Sequence, residues 1–512
     1  MKSMKMTLIK PLYDNHRNPV DENKIQDLPN GVKDFLKELP PLTVDELKKM
    51  GVIVVGGRKK SDKKERFVKA KTKDKDRDFY LTTGNLIGVV NFRDSEKLKD
   101  ELLRIEVRCR FSEKDTQQYF FNHMLSRVFD CNFAETVDSS ELTLQILLAI
   151  RLKFLLADAE AIGAFRQYRT FENNDLRFRG KLDINRHIRL NGMTKDKIAY
   201  TVRERTTDNP LNHMILYAEK YIKDKGWSVF DGSDAADKDA RELLKKIHVS
   251  TPTFGNRSLS SVLSDKENLQ KIRQPYYAEY YEEIRRVAMA LLNDEGANVF
   301  DKENEDEING IVIDGAWLWE EYLAKMAEPL GYWHAIRGKQ SKHKIYRFLD
   351  NADRPFSPLY PDFRFSNGGD EQKASVVLDA KYKFEKINRD DMAQIFSYML
   401  LTGAKKVGFI YPPQENASAD NPKSTQGSND SEEDEDIGIQ NEDTIGTGIR
   451  INQHMTNGEY LFKSYRFNKI PEEGFTDSES FKEWISAEEE KLEAVLKDYY
   501  EMEETSFLSQ KE

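Results

Sequence analysis

The stretches SPLYPDFRF (357–365) and VVLDAKYKF (376–384) carry the pattern on which the reading of this chain turns. In the second, Val376, Leu378, Ala380, Tyr382 and Phe384 alternate with Val377, Asp379, Lys381 and Lys383. Alternate residues of a strand share a face, so one face is apolar throughout and the other turns polar partway along. A strand with its back to a core and the end of its front in a cleft reads this way. Asp379 and Lys381 stand two apart on that front, and Asp362 follows a proline at the end of the preceding short strand. Two carboxylates and a lysine on adjacent strands can hold a hard divalent cation beside a phosphodiester. Magnesium takes oxygen ligands, keeps several waters and needs only one or two protein carboxylates. Such an ion acidifies an attacking water and offsets charge developing on the phosphate. Lys381 would orient that water or stabilise the same charge. A solvated sheet face also shows Asp and Lys at this spacing, so the surroundings have to decide.

Composition narrows the field. The chain has 512 residues, 38% hydrophobic and 33% charged, enough for several domains with adequate cores. No apolar run is long enough to span a bilayer, and the basic start MKSMKMTLIKPLYDN lacks the apolar stretch of a secretory signal. Cys109 and Cys131 are the only cysteines, which supports neither a disulfide framework nor a thiolate metal cluster and suits a reducing cytoplasm. The eight histidines show no ligand spacing, so zinc is not expected. The net charge of -10 is misleading. Residues 415–443 hold ten acidic residues and one basic, whereas 56–77 holds eleven basic and four acidic. Outside the acidic stretch the charge is close to balanced, and the basic run could follow a phosphate backbone or simply be a solvated loop.

Along the chain, residues 1–112 read as β-rich, with short branched runs such as GVIVVGG and LLRIEVRCRF. Residues 113–300 read as mostly helical, interrupted by RQYRTFENNDLRFRGKLDINRHIRLN and the strand-like KIAYTVRER; a helix is expected from Pro210 to Gly226. Residues 301–512 alternate helix and strand: WLWEEYLAKMAEPLG (317–331), KIYRFL, PDFRF, VVLDAKYKF, RDDMAQIFSYMLLTGA (389–404), KVGFIYP and EYLFKSYRF. The acidic, Ser- and Asn-rich insert at 413–450 reads as disordered, because it has too little apolar surface to offset the entropy of ordering. The expected class is α/β, with a β-rich start, a helical middle and a C-terminal domain carrying the Asp and Lys residues.

The spacing P-D-x(n)-D-x-K resembles the PD-(D/E)xK nuclease superfamily. A helix with Gln394 and Tyr398 four residues apart, on one face, follows the D-x-K strand in one branch of that superfamily. WLWEEYL resembles the helix that opens the same core and whose glutamate completes the metal site. Glu320 is the better match to that residue, Glu321 lying about 100° further round. RFRGKLDINRHI followed by TVRERTTDNPLNHMIL resembles the central signature of McrC, the nuclease subunit of the McrBC modification-dependent restriction systems. Residues of about 160–220 and 310–412 carry the resemblance, and LlaJI-type subunits are close relatives. It implies a Mg2+-dependent endodeoxyribonuclease with Asp362, Asp379 and Glu320 on the metal, Lys381 catalytic, and Gln394 and Tyr398 in support. It also implies DNA as substrate and an AAA+ GTPase partner of the McrB type. The sequence itself contains no G-x-x-x-x-G-K-[ST] phosphate loop, so nucleotide hydrolysis by that route needs a second chain. An adaptor that only activates the NTPase, and a stand-alone DNA-repair nuclease, are the rival readings.

Overall fold

The computed structural model describes residues 5–8, 12–14, 17–19, 30–56, 66–73, 78–92, 98, 101–112, 118–133, 140–192, 196–293, 308–335, 345–349, 355–366, 373–383, 388–413, 461–462, 464–471 and 473–501. The acidic insert lies outside them, except for its first residue, and so does most of the basic run. The architecture is mixed α/β, as the sequence pattern predicts. No described helix is long and apolar enough to cross a membrane.

The first sheet runs Lys5–Leu8, Glu101–Arg108, Leu86–Phe92, Gly310–Asp314, Val52–Val55, with Leu12–Tyr13 also on Glu101–Arg108. Five of its six strands come from the β-rich start, but Gly310–Asp314 lies beyond the expected boundary at 301. That strand pairs antiparallel with Leu86–Phe92 and parallel with Val52–Val55, and all five of its residues are buried. Two glycines let it in. A Cβ on Gly88 (φ 143°) would stand 2.2 Å from the Ile311 carbonyl oxygen, and one on Gly310 (φ 156°) 2.2 Å from that of Val89. At its end Asp314 caps the next helix, Gly315–Ala327, accepting from the Ala316 and Trp317 amides at 2.9 and 3.2 Å. The chain therefore returns to the N-terminal sheet and launches from it directly into the helix that carries Glu320.

The middle helices Tyr119–Phe129, Ser140–Ala159, Pro210–Asp224, Ala235–Ser250 and Pro275–Leu292 share one large apolar core. Asn209 caps the third of these, Pro210 opens it where a missing amide costs nothing, and Gly226 follows it at φ 75°. From this region projects an antiparallel sheet of Lys181–Leu182, Ile198–Thr206 and Gln167–Asp175. Its surroundings leave Leu176, Phe178, Leu182, Ile184, Ile188 and Leu190 exposed.

The C-terminal sheet runs Trp333–His334, Phe363–Phe365, Val376–Ala380, Lys406–Tyr411, Leu461–Phe462, with Tyr465–Arg466 also on Lys406–Tyr411. Its first three strands are antiparallel. The helix Arg389–Thr402 then crosses over to bring Lys406–Tyr411 in parallel, and the last pairings are parallel as well. The alternation in VVLDAKYKF divides two cores. Val376, Leu378 and Tyr382 join the large core, while Val377 packs with Ile395, Tyr398 and Phe409 under the crossover helix. A long helix the sequence reading did not isolate, Ser478–Glu501, closes this part. Its Glu489 accepts from the Tyr322 hydroxyl and pairs with His123 and Arg127, each at 2.8 Å.

Candidate active site

Asp379 is the fourth residue of its strand and Asp362 immediately precedes the neighbouring one. The antiparallel register pairs Phe363 with Leu378, so its continuation sets Asp362 opposite Asp379. Both are buried, at 5% and 2% exposure, where carboxylates seldom sit without compensation. Asp362 accepts from the Ala380 amide at 2.8 Å, and its carboxyl group is in hydrogen-bond contact with that of Asp379. Burial pushes the Asp379 carboxyl above its ordinary range; Lys381 pulls it down, and Glu320 adds to the upward push.

Lys381 follows the strand's last residue and folds back along its own face. Its Nζ lies 2.6 Å from Asp379 Oδ2, 2.9 Å from Gln394 Oε1 and 3.2 Å from Asp391 Oδ1, which accounts for all three ammonium donors. Burial works against this ammonium, but Asp379 and Asp391 outweigh it and keep the group firmly protonated. Gln394 donates from Nε2 to the Tyr398 hydroxyl at 2.9 Å and to Asp379 Oδ1 at 3.4 Å. Its amide orientation is thus set, with oxygen toward the lysine. The helix pair read from the sequence is part of the site.

Glu320 is buried on Gly315–Ala327, and its charge is felt by both Asp379 and His334. Glu321 lies the other way, 3.6 Å from His334 Nε2. Asp362, Asp379, Lys381, Gln394 and Tyr398 thus form one connected network, with Glu320 coupled to it through charge.

Two neighbours were not singled out from the sequence. Asp391 is three residues before Gln394, hence on the same helix face, and it also caps that helix reciprocally with Asn388 and pairs with Lys383. His334 donates from Nδ1 to the Asp362 carbonyl at 3.0 Å, and nothing in its local sequence announced it.

The donor set is all oxygen and suits a hard cation. Two buried carboxyl groups lie in contact, and Asp379 feels the charge of Glu320, an arrangement that a bound cation would relieve. Among the described residues no three His, Cys, Asp or Glu side chains are grouped closely enough to enclose a metal. The arrangement fits an ion held by two carboxylates that keeps most of its waters, the habit of magnesium.

The family described as McrBC 5-methylcytosine restriction system component matches residues 81–412, more than half of the chain. The chain belongs to that family. The match spans all six residues that the sequence marked, and it bears out the McrC resemblance read from the motifs. No curated protein matches the chain. Two solved structures are similar at 16% identity. One is a refined half-complex from a tetradecameric assembly of Thermococcus gammatolerans McrB AAA+ hexamers with bound McrC, at a TM-score of 0.39 over 94% of this chain and 100% of that one. The other is the cryo-EM structure of the Thermococcus gammatolerans McrBC complex, at 0.26 over 62% of this chain and 86% of that one. Such scores are too low to bear on this chain's geometry.

Proposed function

We propose that this chain is the Mg2+-dependent endodeoxyribonuclease subunit of a cytoplasmic, McrBC-like restriction complex, with a PD-(D/E)xK core formed by the C-terminal sheet and its two flanking helices. One observation carries the reading: the buried Asp362 and Asp379 meet the partly exposed Lys381 at one end of the sheet, and Lys381 is tied to Gln394. Asp362 and Asp379 are the metal ligands; Glu320, the third ligand that the family resemblance implies, is not grouped closely enough with them here to bind directly and would act through its charge or a metal-bound water. Magnesium bound there would supply Lewis-acid stabilisation of the phosphate and a more acidic water. Lys381 keeps its proton and lies beside Asp379, so it can donate to the attacking water or to a phosphate oxygen as negative charge grows. Gln394 and Tyr398 hold that ammonium in one orientation, which limits the reorganisation needed at the moment of reaction.

The partner in this reading is an AAA+ GTPase of the McrB type, acting with this chain on DNA. Family membership supports it, as does the exposed apolar surface around Phe178, Leu182, Ile184 and Ile188, a patch suited to protein contact. The test is cleavage of methylated and unmethylated DNA by the purified complex with GTP and Mg2+. Cutting that needs Mg2+ and disappears with Asp379→Ala and with Lys381→Ala is the expected result. Undiminished cutting by both variants would remove the proposed site. Faster GTP hydrolysis by the partner without any cutting would favour the adaptor.

A further inference from the structure

Beyond Ala380 the sheet no longer holds the chain firmly, yet the Lys381 backbone has to be fixed for its amine to be placed. One ladder bond remains, from the Lys381 amide to the Ile410 carbonyl at 2.9 Å. The next residue, Tyr382, is only 8% exposed, and it packs against Cys109, Arg110 and Phe111, just after the N-terminal strand Glu101–Arg108. Arg110 Nη1 donates to the Tyr382 carbonyl at 3.1 Å, and the guanidinium carbon lies 4.1 Å from the centre of the Tyr382 ring. Phe111 meets that ring edge to face at 5.6 Å, and Cys109 Sγ is 3.7 Å from its hydroxyl.

Arg110 is itself anchored. It is 2% exposed, donates through Nε and Nη2 to Asp14 Oδ2 at 3.2 and 2.9 Å, and reaches Asn85 Oδ1 at 3.2 Å. On another side a Cβ added to Gly315 would stand 2.7 Å from the Tyr382 hydroxyl. Gly315 is the first residue of the helix bearing Glu320. Tyr382, the residue after Lys381, therefore lies against both the turn that follows the N-terminal strand Glu101–Arg108 and the start of the Glu320 helix.

We infer that Arg110 and Tyr382 are positioning residues, a clamp through which the N-terminal sheet sets the placement of Lys381 against Asp379. The inference rests on the nuclease reading for its consequence but not for its geometry. The guanidinium fork matters here because it serves Asp14 and the Tyr382 carbonyl together, and a lysine at 110 keeps the charge but cannot span both.

The experiment follows the acetylation of individual lysines by mass spectrometry in the full-length chain, native and Arg110→Lys. DNA cleavage by the same proteins in complex with the partner GTPase is measured in parallel. Lys381 should be labelled at least fivefold faster in Arg110→Lys, while Lys153, at 0% exposure in the helical core, stays protected and so reports that the protein is folded. The cleavage rate at saturating DNA should fall about tenfold with KM unchanged. Unchanged Lys381 labelling would overturn the clamp, and so would equal acceleration at Lys153, which means general loosening. Should Arg110→Lys fail to fold, Tyr382→Leu, which stays apolar but removes the ring on which Arg110 and Phe111 pack, takes its place. Selective acceleration at Lys381 again supports the clamp, and its absence overturns it. If the native complex does not cut DNA at all, the nuclease reading fails while the labelling still decides the clamp.

Discussion

Lys153 with Asp237 in the helical middle, and Lys381 with Asp379 in the C-terminal sheet, are the same pair of side chains in two settings. Their closest contacts are 3.1 and 2.6 Å, and all four side chains are largely out of water. Burial raises the carboxyl pKa in both places, with Asp237 pushed up to about 6 by burial and its hydrogen bond with Asp234. A buried ion pair with a displaced pKa is therefore not enough to mark a site. Lys153 also uses its three donors within the protein, on both Asp237 oxygens and on the Phe129 carbonyl at 2.5 Å, and both partners are 0% exposed. That pair ties Ser140–Ala159 to Ala235–Ser250 and to the end of Tyr119–Phe129. Lys381 differs in one respect. Its side chain keeps 13% exposure, with Asp362, Asp379, Asp391 and the more distant Glu320 around it. Access to solvent distinguishes the pair proposed as reactive from the structural one.

This contrast can be broken experimentally. The largest effect is expected at the second pair. Asp379→Ala or Lys381→Ala should reduce DNA cleavage by roughly a thousandfold or more. Asp379→Ala should leave urea unfolding of the chain nearly unchanged, because removing the carboxylate relieves crowded negative charge. At the first pair the expected effect is on stability. Lys153→Ala leaves Asp237 buried without its cation and should cost about 3–5 kcal/mol in urea unfolding. Protein that remains folded should cut DNA at the native rate. A Lys153 variant that loses cleavage without losing stability would erase the distinction. The smallest effect sharpens it: Glu320→Gln keeps the shape but removes one charge, and should lower cleavage about tenfold while raising the Mg2+ concentration needed.

How much of this was legible in the sequence follows from the range of the interactions involved. Asp379, Lys381, Gln394 and Tyr398 obey the short periods of strand and helix, and the structure assembles them as those periods require. The start of Pro210–Asp224 and the closing Gly331, at φ 91°, were likewise local signals. Gly310–Asp314 was not legible. The sequence GIVID reads as a buried strand but says nothing of which sheet receives it, and the answer depends on Gly88 more than two hundred residues away. A division near residue 300 therefore cuts through the N-terminal sheet, whose unit has to run at least to Asp314. The final helix was legible in principle, since Phe481, Ile485, Leu492 and Leu496 recur at helical spacing and are all buried. Arg110 lay beyond reach because its partners Asp14, Asn85 and Tyr382 come from three distant stretches.

The central claim is that Asp362 and Asp379 form a cation site, and direct titration of the full-length chain with Mn2+, followed by electron paramagnetic resonance of the free ion, tests it without DNA or partner. The native chain should bind the ion, Mg2+ should displace it, and Asp362→Ala and Asp379→Ala should each weaken binding by at least tenfold. Native affinity retained in both variants would contradict the account.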